Sequence, residues 1–158
     1  MHIDVDVKAQ QLSLFNEGSL VKQYSISTAK NGVGEKNASE KTPRGMHIIR
    51  AKIGSGEQVN TVFIGRRPTG ELYSADLRIK QPERDWILTR ILWLSGMEVG
   101  KNRLGDVDTM RRYIYIHGCP DDDVLGIPGS HGCIKMRNND IIELFDAVLP
   151  GTHVLIHE

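Results

Sequence analysis

Ile3, Val5 and Val7 alternate with Asp4 and Asp6, the period-two pattern of a strand with one buried face. Leu12 and Leu14, then residues 19–26, supply two more short runs around Asn16-Glu17-Gly18, a turn signal. Residues 30–45 are polar and contain Gly32, Gly34, Pro43 and Gly45, which predicts a loop. Strands are predicted next over 46–53 and 59–64. Residues 65–110 are broken by Arg66-Arg67-Pro68-Thr69-Gly70 and by Pro82, and read as an insertion able to shape or cover a cleft. Within it, 87–94 is apolar and β-branched enough for a strand, with a short buried helix as the alternative, and 101–108 reads as a solvent loop. From Arg111 to His117 the pattern alternates again, with Tyr113, Tyr115 and His117 on one face and Ile114 and Ile116 on the other. Asn138, Asn139 and Asp140 can each cap a helix, and Asp140 with Glu143 has capping-box spacing. Ile141, Leu144, Phe145 and Val148 follow at helical spacing, Pro150-Gly151 stops the helix, and 152–156 closes the chain as a strand. Many strands and one helix predict a mainly β fold. No repeat, low-complexity tract or linker divides the chain, so a single domain over 1–158 is expected.

Charge and composition narrow the function. Lys and Arg balance Asp and Glu at 20 each, and no basic run is concentrated enough to favour nucleic acid or an acidic membrane surface. No apolar run approaches the length that crosses a bilayer. Met1-His2-Ile3-Asp4 lacks the basic start and apolar stretch of an export signal, so a cytoplasmic protein is expected; a periplasmic one trimmed of its signal would read the same. Two cysteines, Cys119 and Cys133, suit a reducing compartment, with a bridge between them as the alternative.

The chemistry lies in two segments, His117-Gly118-Cys119-Pro120 and Ser130-His131-Gly132-Cys133. A free thiol titrates near about 8.5, so a neighbouring imidazolium that lowers that value makes a nucleophile near neutrality. The same imidazole can later protonate a leaving group. Gly132 would let the backbone approach a substrate carbonyl and turn amide donors toward its developing oxyanion.

Ile116-His117-Gly118, Leu125-Gly126-Ile127-Pro128-Gly129 and Ser130-His131-Gly132-Cys133-Ile134-Lys135-Met136 together resemble the signature of the L,D-transpeptidase catalytic-domain (YkuD-type) family: a histidine, a loop of about a dozen residues, and Ser/Thr-His-Gly-Cys. The likeness continues through 139–145 and 151–156, and upstream through Gln11-Leu12, residues 25–28 and Thr42-Pro43-Arg44-Gly45. It implies a β-sandwich with one helix in its C-terminal region and an inserted loop region. It also implies attack on the L,D bond between the third residue of a tetrapeptide stem, often diaminopimelate, and the terminal D-alanine. By that resemblance Cys133 forms the thioester, His117 is its base and imidazolium partner, and the Gly118 carbonyl orients the ring. The amides of Gly132 and Cys133 would make the oxyanion hole, with Ser130 and His131 shaping the site and helping to bind substrate. Lys135 stands where arginine or asparagine is common, keeping a charge but not the planar fork, and Cys119 stands where a small hydroxyl residue is common. No cofactor and no metal are implied. The expected partners are a peptidoglycan stem peptide or muropeptide and, as a covalent inhibitor, a β-lactam of the carbapenem type.

Other readings compete. The thioester can pass to water, which makes an L,D-carboxypeptidase and fits cytosolic muropeptide recycling, or to an amine, which makes 3-3 cross-links or exchanges D-amino acids. His117-x-Cys119 and His131-x-Cys133 could instead hold zinc, or the chain could be a non-catalytic peptidoglycan-binding module. Cys119 reads as a buried inert thiol, and His2, His47, His153 and His157 as surface or structural. Tyr113 and Tyr115 read as cleft wall or substrate contacts. Asp121-Asp122-Asp123 reads as a solvated turn, with repelling or positioning a charged stem as the alternative, and Arg66, Arg67, Arg111 and Arg112 read as solvated surface, with binding of stem or sugar carboxylates as the alternative.

Overall fold

A computed structural model describes all of residues 1–158. Its strands are β1 (His2–Asp6), β2 (Gln11–Asn16), β3 (Ser19–Ser27), β4 (Gly45–Ile53), β5 (Thr61–Ile64), β6 (Arg67–Leu72), β7 (Ile87–Gly96), β8 (Tyr115–Gly118), β9 (Ile134–Met136) and β10 (His153–His157). The sheet runs β4-β10-β1-β2-β3-β9-β8-β7-β5-β6, and β7 also pairs with β4. Eight strands therefore close on themselves, which removes the open edges a flat sheet would expose. The result is a barrel-like sandwich, with β5 and β6 extending from β7 as a hairpin.

The alternating positions fill the main core: Ile3, Val5, Leu12, Leu14, Leu92, Leu94, Ile114, Ile116, Ile134 and Met136 belong to one buried cluster. Helix α2 (Asn138–Ala147) seals it with Ile141, Leu144 and Phe145, and Val148 packs just beyond its end. Each such side chain contributes about 1.5–3 kcal/mol relative to an exposed one.

Three expectations are corrected. Residues 65–110 are not a loop insertion alone, because they supply β7, the ten-residue strand that closes the ring. They also hold β6 and a short helix, α1 (Ala75–Lys80). Helix α2 is entered through Arg137 with no side-chain cap. The Asn138 side chain is spent elsewhere: it accepts from Thr89 Oγ1 at 2.6 Å and donates to the Cys119 carbonyl at 2.9 Å. The strand predicted from Arg111 begins only at Tyr115, since Tyr113 takes a left-handed φ of 56° in the preceding turn.

Candidate active site

β8 and β9 run parallel, with Ile116 opposite Ile134 and His117 opposite Lys135. Ile114, Ile116, Ile134 and Met136 point into the main core. The alternate positions, Tyr115, His117 and Cys133, point to the other face, where all three line a cleft of about 480 Å³. Stepping back from the register, Cys133 faces Tyr115 and lies two residues diagonally from His117. Strand spacing and rise put their Cα atoms roughly 8 Å apart, within reach of two inward side chains.

Local contacts set the chemistry of the pair. The Nδ1–H of His117 donates to the Gly118 carbonyl at 2.7 Å, and because a carbonyl can only accept, Nε2 is the basic nitrogen. Gly118 has no room for a side chain: a Cβ would strike the Asn138 amide oxygen and lie 2.7 Å from the Leu88 carbonyl. The Cys133 sulfur lies 3.3 Å from the Tyr115 amide, which donates to it, and 3.5 Å from the Tyr113 carbonyl. Burial pushes the thiol up to about 12; the Tyr115 amide and Arg112 oppose the rise, and the nearby Asp85 carboxylate adds to it. Burial also holds His117 below the ordinary imidazole value, against the pull of Asp85 and the Gly118 carbonyl. Burial thus favours the uncharged form of both groups, while an imidazolium partner, the arrangement expected from the sequence, would favour the thiolate.

The L,D-transpeptidase catalytic domain (YkuD) model matches residues 1–156. The chain belongs to that family. No curated protein matches it. Among solved structures, an L,D-transpeptidase from Mycobacterium smegmatis is 18% identical with a TM-score of 0.58, covering 99% of this chain and 58% of its own. An Enterococcus faecium L,D-transpeptidase cysteine-to-serine mutant is 18% identical at TM-score 0.59, with 99% and 49% covered. L,D-transpeptidase 3 from Mycobacterium tuberculosis, solved in complex with a faropenem-derived adduct, is 16% identical at TM-score 0.59, with 99% and 59% covered. The present chain thus spans about half to three-fifths of these neighbours, and at such identities the likeness speaks for the L,D-transpeptidase fold.

Not every residue expected of an L,D-transpeptidase site stands as the sequence implied. Ser130 Oγ bonds the Cys133 carbonyl at 2.5 Å and accepts from the Gly132 amide at 3.2 Å, so the Gly132 N–H does not face the cleft freely. The Cys133 amide donates no hydrogen bond within the protein. Gly132 itself is required: its φ of 133° is unfavourable for any side chain, and Thr42 Oγ1 of the Thr-Pro-Arg-Gly turn donates to its carbonyl at 3.0 Å. His131 is exposed at the rim, 3.8 Å from Asp85. Lys135 lies outside this cleft, in an adjoining cavity of about 290 Å³, with Nζ 2.9 Å from Asp123.

Asp123 also meets Arg78 at 2.8 Å, so in the turn at 121–123 Asp121 and Asp122 are exposed as expected and Asp123 is tied down. Cys119 is fully buried, and its thiol donates to the Met136 carbonyl at 3.3 Å. No group of three or more His, Cys, Asp or Glu residues converges to hold a metal. Among the arginines, Arg66 and Arg112 line the cleft, correcting their placement on solvated surface. Asp85 also lines the cleft, and nothing in the sequence signals it, because a lone acid between Pro82 and Trp86 carries no motif.

Proposed function

We propose that this chain is a cysteine acyl-transfer enzyme that cleaves peptidoglycan tetrapeptide stems at the L,D bond before the terminal D-alanine. The observation that carries the reading is the parallel β8–β9 register, which turns His117 and Cys133 to one cleft with Nε2 left basic by the Gly118 carbonyl. As the sulfur attacks the carbonyl carbon of the third stem residue, Nε2 takes the thiol proton. Transfer concerted with attack suits a thiol raised by burial, since a free thiolate is never required. The oxyanion forms beside the Cys133 amide. The imidazolium then protonates the departing amine, the C–N bond breaks, and D-alanine leaves a thioester on Cys133. The faropenem-derived adduct of the M. tuberculosis neighbour fits an acylatable family site, and another L,D-transpeptidase of this fold solved in complex with imipenem supports a carbapenem as inhibitor here.

Water is the acceptor in this reading, making an L,D-carboxypeptidase of soluble muropeptides. In the adjoining cavity the two cations that could meet an acceptor stem, Lys135 and Arg78, are committed to Asp123. Two unbridged thiols fit the reducing cytosol, the setting we propose. Incubation with a soluble tetrapeptide stem is expected to yield tripeptide and free D-alanine. Exchange of D-alanine for an added D-amino acid without tripeptide accumulating would instead assign the enzyme to transpeptidation.

A further inference from the structure

Two guanidinium groups line the cleft with Cys133, and only one of them is free to meet a ligand. Arg112 is consumed by the chain, donating to the carbonyls of Gly34, Glu35 and Lys41 and to Ser39 Oγ. Arg66 donates a single hydrogen bond, to the Tyr115 hydroxyl at 3.0 Å, and has no carboxylate partner; the arginine ion pairs of the protein belong to Arg44, Arg78 and Arg84. Four of its five N–H donors are uncommitted.

Arg66 is also held ready. It sits at the tip of the β5–β6 hairpin, where Gly65 and Arg66 have φ values of 56° and 64°, the two left-handed positions of a two-residue turn. Arginine in that conformation costs about 1 kcal/mol that glycine or asparagine would largely avoid. Its guanidinium lies 4.6 Å from the Trp93 ring centre and 4.7 Å from that of Tyr113. Two aromatic faces fix its plane, and the Tyr115 hydroxyl fixes its rotation, so little side-chain freedom remains to be lost on binding.

The same two tyrosines tie this cation to the reacting sulfur. Tyr113 and Tyr115 touch Cys133 Sγ through their backbone and Arg66 through their side chains. A carboxylate one residue beyond an attacked carbonyl needs a cation in the same cleft, and Arg66 and Cys133 line the same one. Tyr115 links the two ends of the cleft, with its amide on the sulfur and its hydroxyl on the guanidinium. Asp85, the acid of the cleft, is near His131 and forms no ion pair with Arg66.

We propose that Arg66 is the anchor for the free C-terminal carboxylate of the departing amino acid, so that Cys133 attacks the bond one residue from a chain end. This rests on the stem-cleaving reading above and sharpens it: the substrate class is a peptide with an unblocked carboxyl terminus, and the enzyme is an exopeptidase by construction of the cleft. The guanidinium fork can take both carboxylate oxygens, which lysine cannot.

The test measures tripeptide formation from a soluble tetrapeptide stem ending in D-alanine and from its D-alaninamide counterpart, in wild type, Arg66→Gln and Arg66→Lys. Wild type is expected to favour the acid by roughly 10–100-fold in kcat/KM, the usual weight of charge-assisted hydrogen bonds. Arg66→Gln brings the ratio close to one, and Arg66→Lys leaves an intermediate preference. Because each ratio is taken within one variant, a smaller folded fraction cancels. Wild type that turns over both substrates equally, or Arg66→Gln that keeps the acid preference, overturns the anchor alone. Wild type that forms no tripeptide from either substrate overturns the stem-cleaving reading, and the anchor with it.

Discussion

His-Gly-Cys occurs twice in this chain, at 117–119 and 131–133, and the fold uses opposite halves of the two copies. In the first, the histidine lies within β8 with Nδ1 held by the next carbonyl, while the cysteine lies past the strand end and is sealed against the Met136 carbonyl. In the second, the histidine is on an exposed loop and the cysteine leads into β9 on the cleft face. Both thiols are raised by burial, Cys119 to about 11 and Cys133 to about 12, so the sulfur's own acidity does not separate them. What separates them is an open cleft shared with His117. The tripeptide carries no chemistry by itself; its place relative to a strand end does.

The sharpest way to break this contrast is to remove each sulfur in turn. Cys133→Ala is expected to lower D-alanine release by at least roughly 10⁴-fold. Cys119→Ala is expected to leave kcat/KM within about twofold and to cost about 1 kcal/mol in thermal melting, the size of a small cavity. The histidines should divide in the same way. His117→Gln removes the base and is expected to cost about 10²–10⁴-fold in kcat, whereas His131→Gln changes it by less than about tenfold. Equal losses would mean that both copies serve the site.

Titration sharpens the contrast further. Because His117 is held below about 6.5, kcat/KM should rise with pH only on the acid side of that value. It should then stay flat from about pH 7 to 9, since the raised thiol is still protonated there. An alkaline fall within that window would indicate a working thiolate–imidazolium pair.

The smallest effect concerns a histidine remote from catalysis. His47 is fully buried, with Nδ1 3.0 Å from the Gly45 carbonyl and Nε2 2.9 Å from Thr109 Oγ1, and burial lowers it to about 4. The unfolded chain binds this proton first, below about 6.5, so stability is complete above that pH and declines toward pH 4, by about 3 kcal/mol in all. His47→Gln, which has no proton to take up in that range, should flatten this part of a melting-temperature profile.

The strands at Ile3–Val5 and Tyr115–His117 are legible in the sequence because each requires only a local choice of buried face, and the helix because Ile141, Leu144 and Phe145 mark one stripe. Cys133 and His117 are legible as a pair of residue types. The ring closure is not, because β7 is defined by partners in β4 and β8 far away in the chain. Asn138 looks like a helix cap until its side chain is found bonded to Thr89 and to the Cys119 carbonyl. Lys135 looks like a substrate contact until Asp123 takes its charge. Arg66 reads as a surface cation because the stacking of Trp93 and Tyr113 around it exists only once the hairpin is folded over the cleft.

The account stands on Cys133 being the group that becomes acylated. Intact-mass spectrometry after incubation with imipenem tests this directly. One covalent adduct is predicted on wild type and on Cys119→Ala, mapping to Cys133, and none on Cys133→Ala. An unmodified wild type, or an adduct that survives Cys133→Ala, would contradict it.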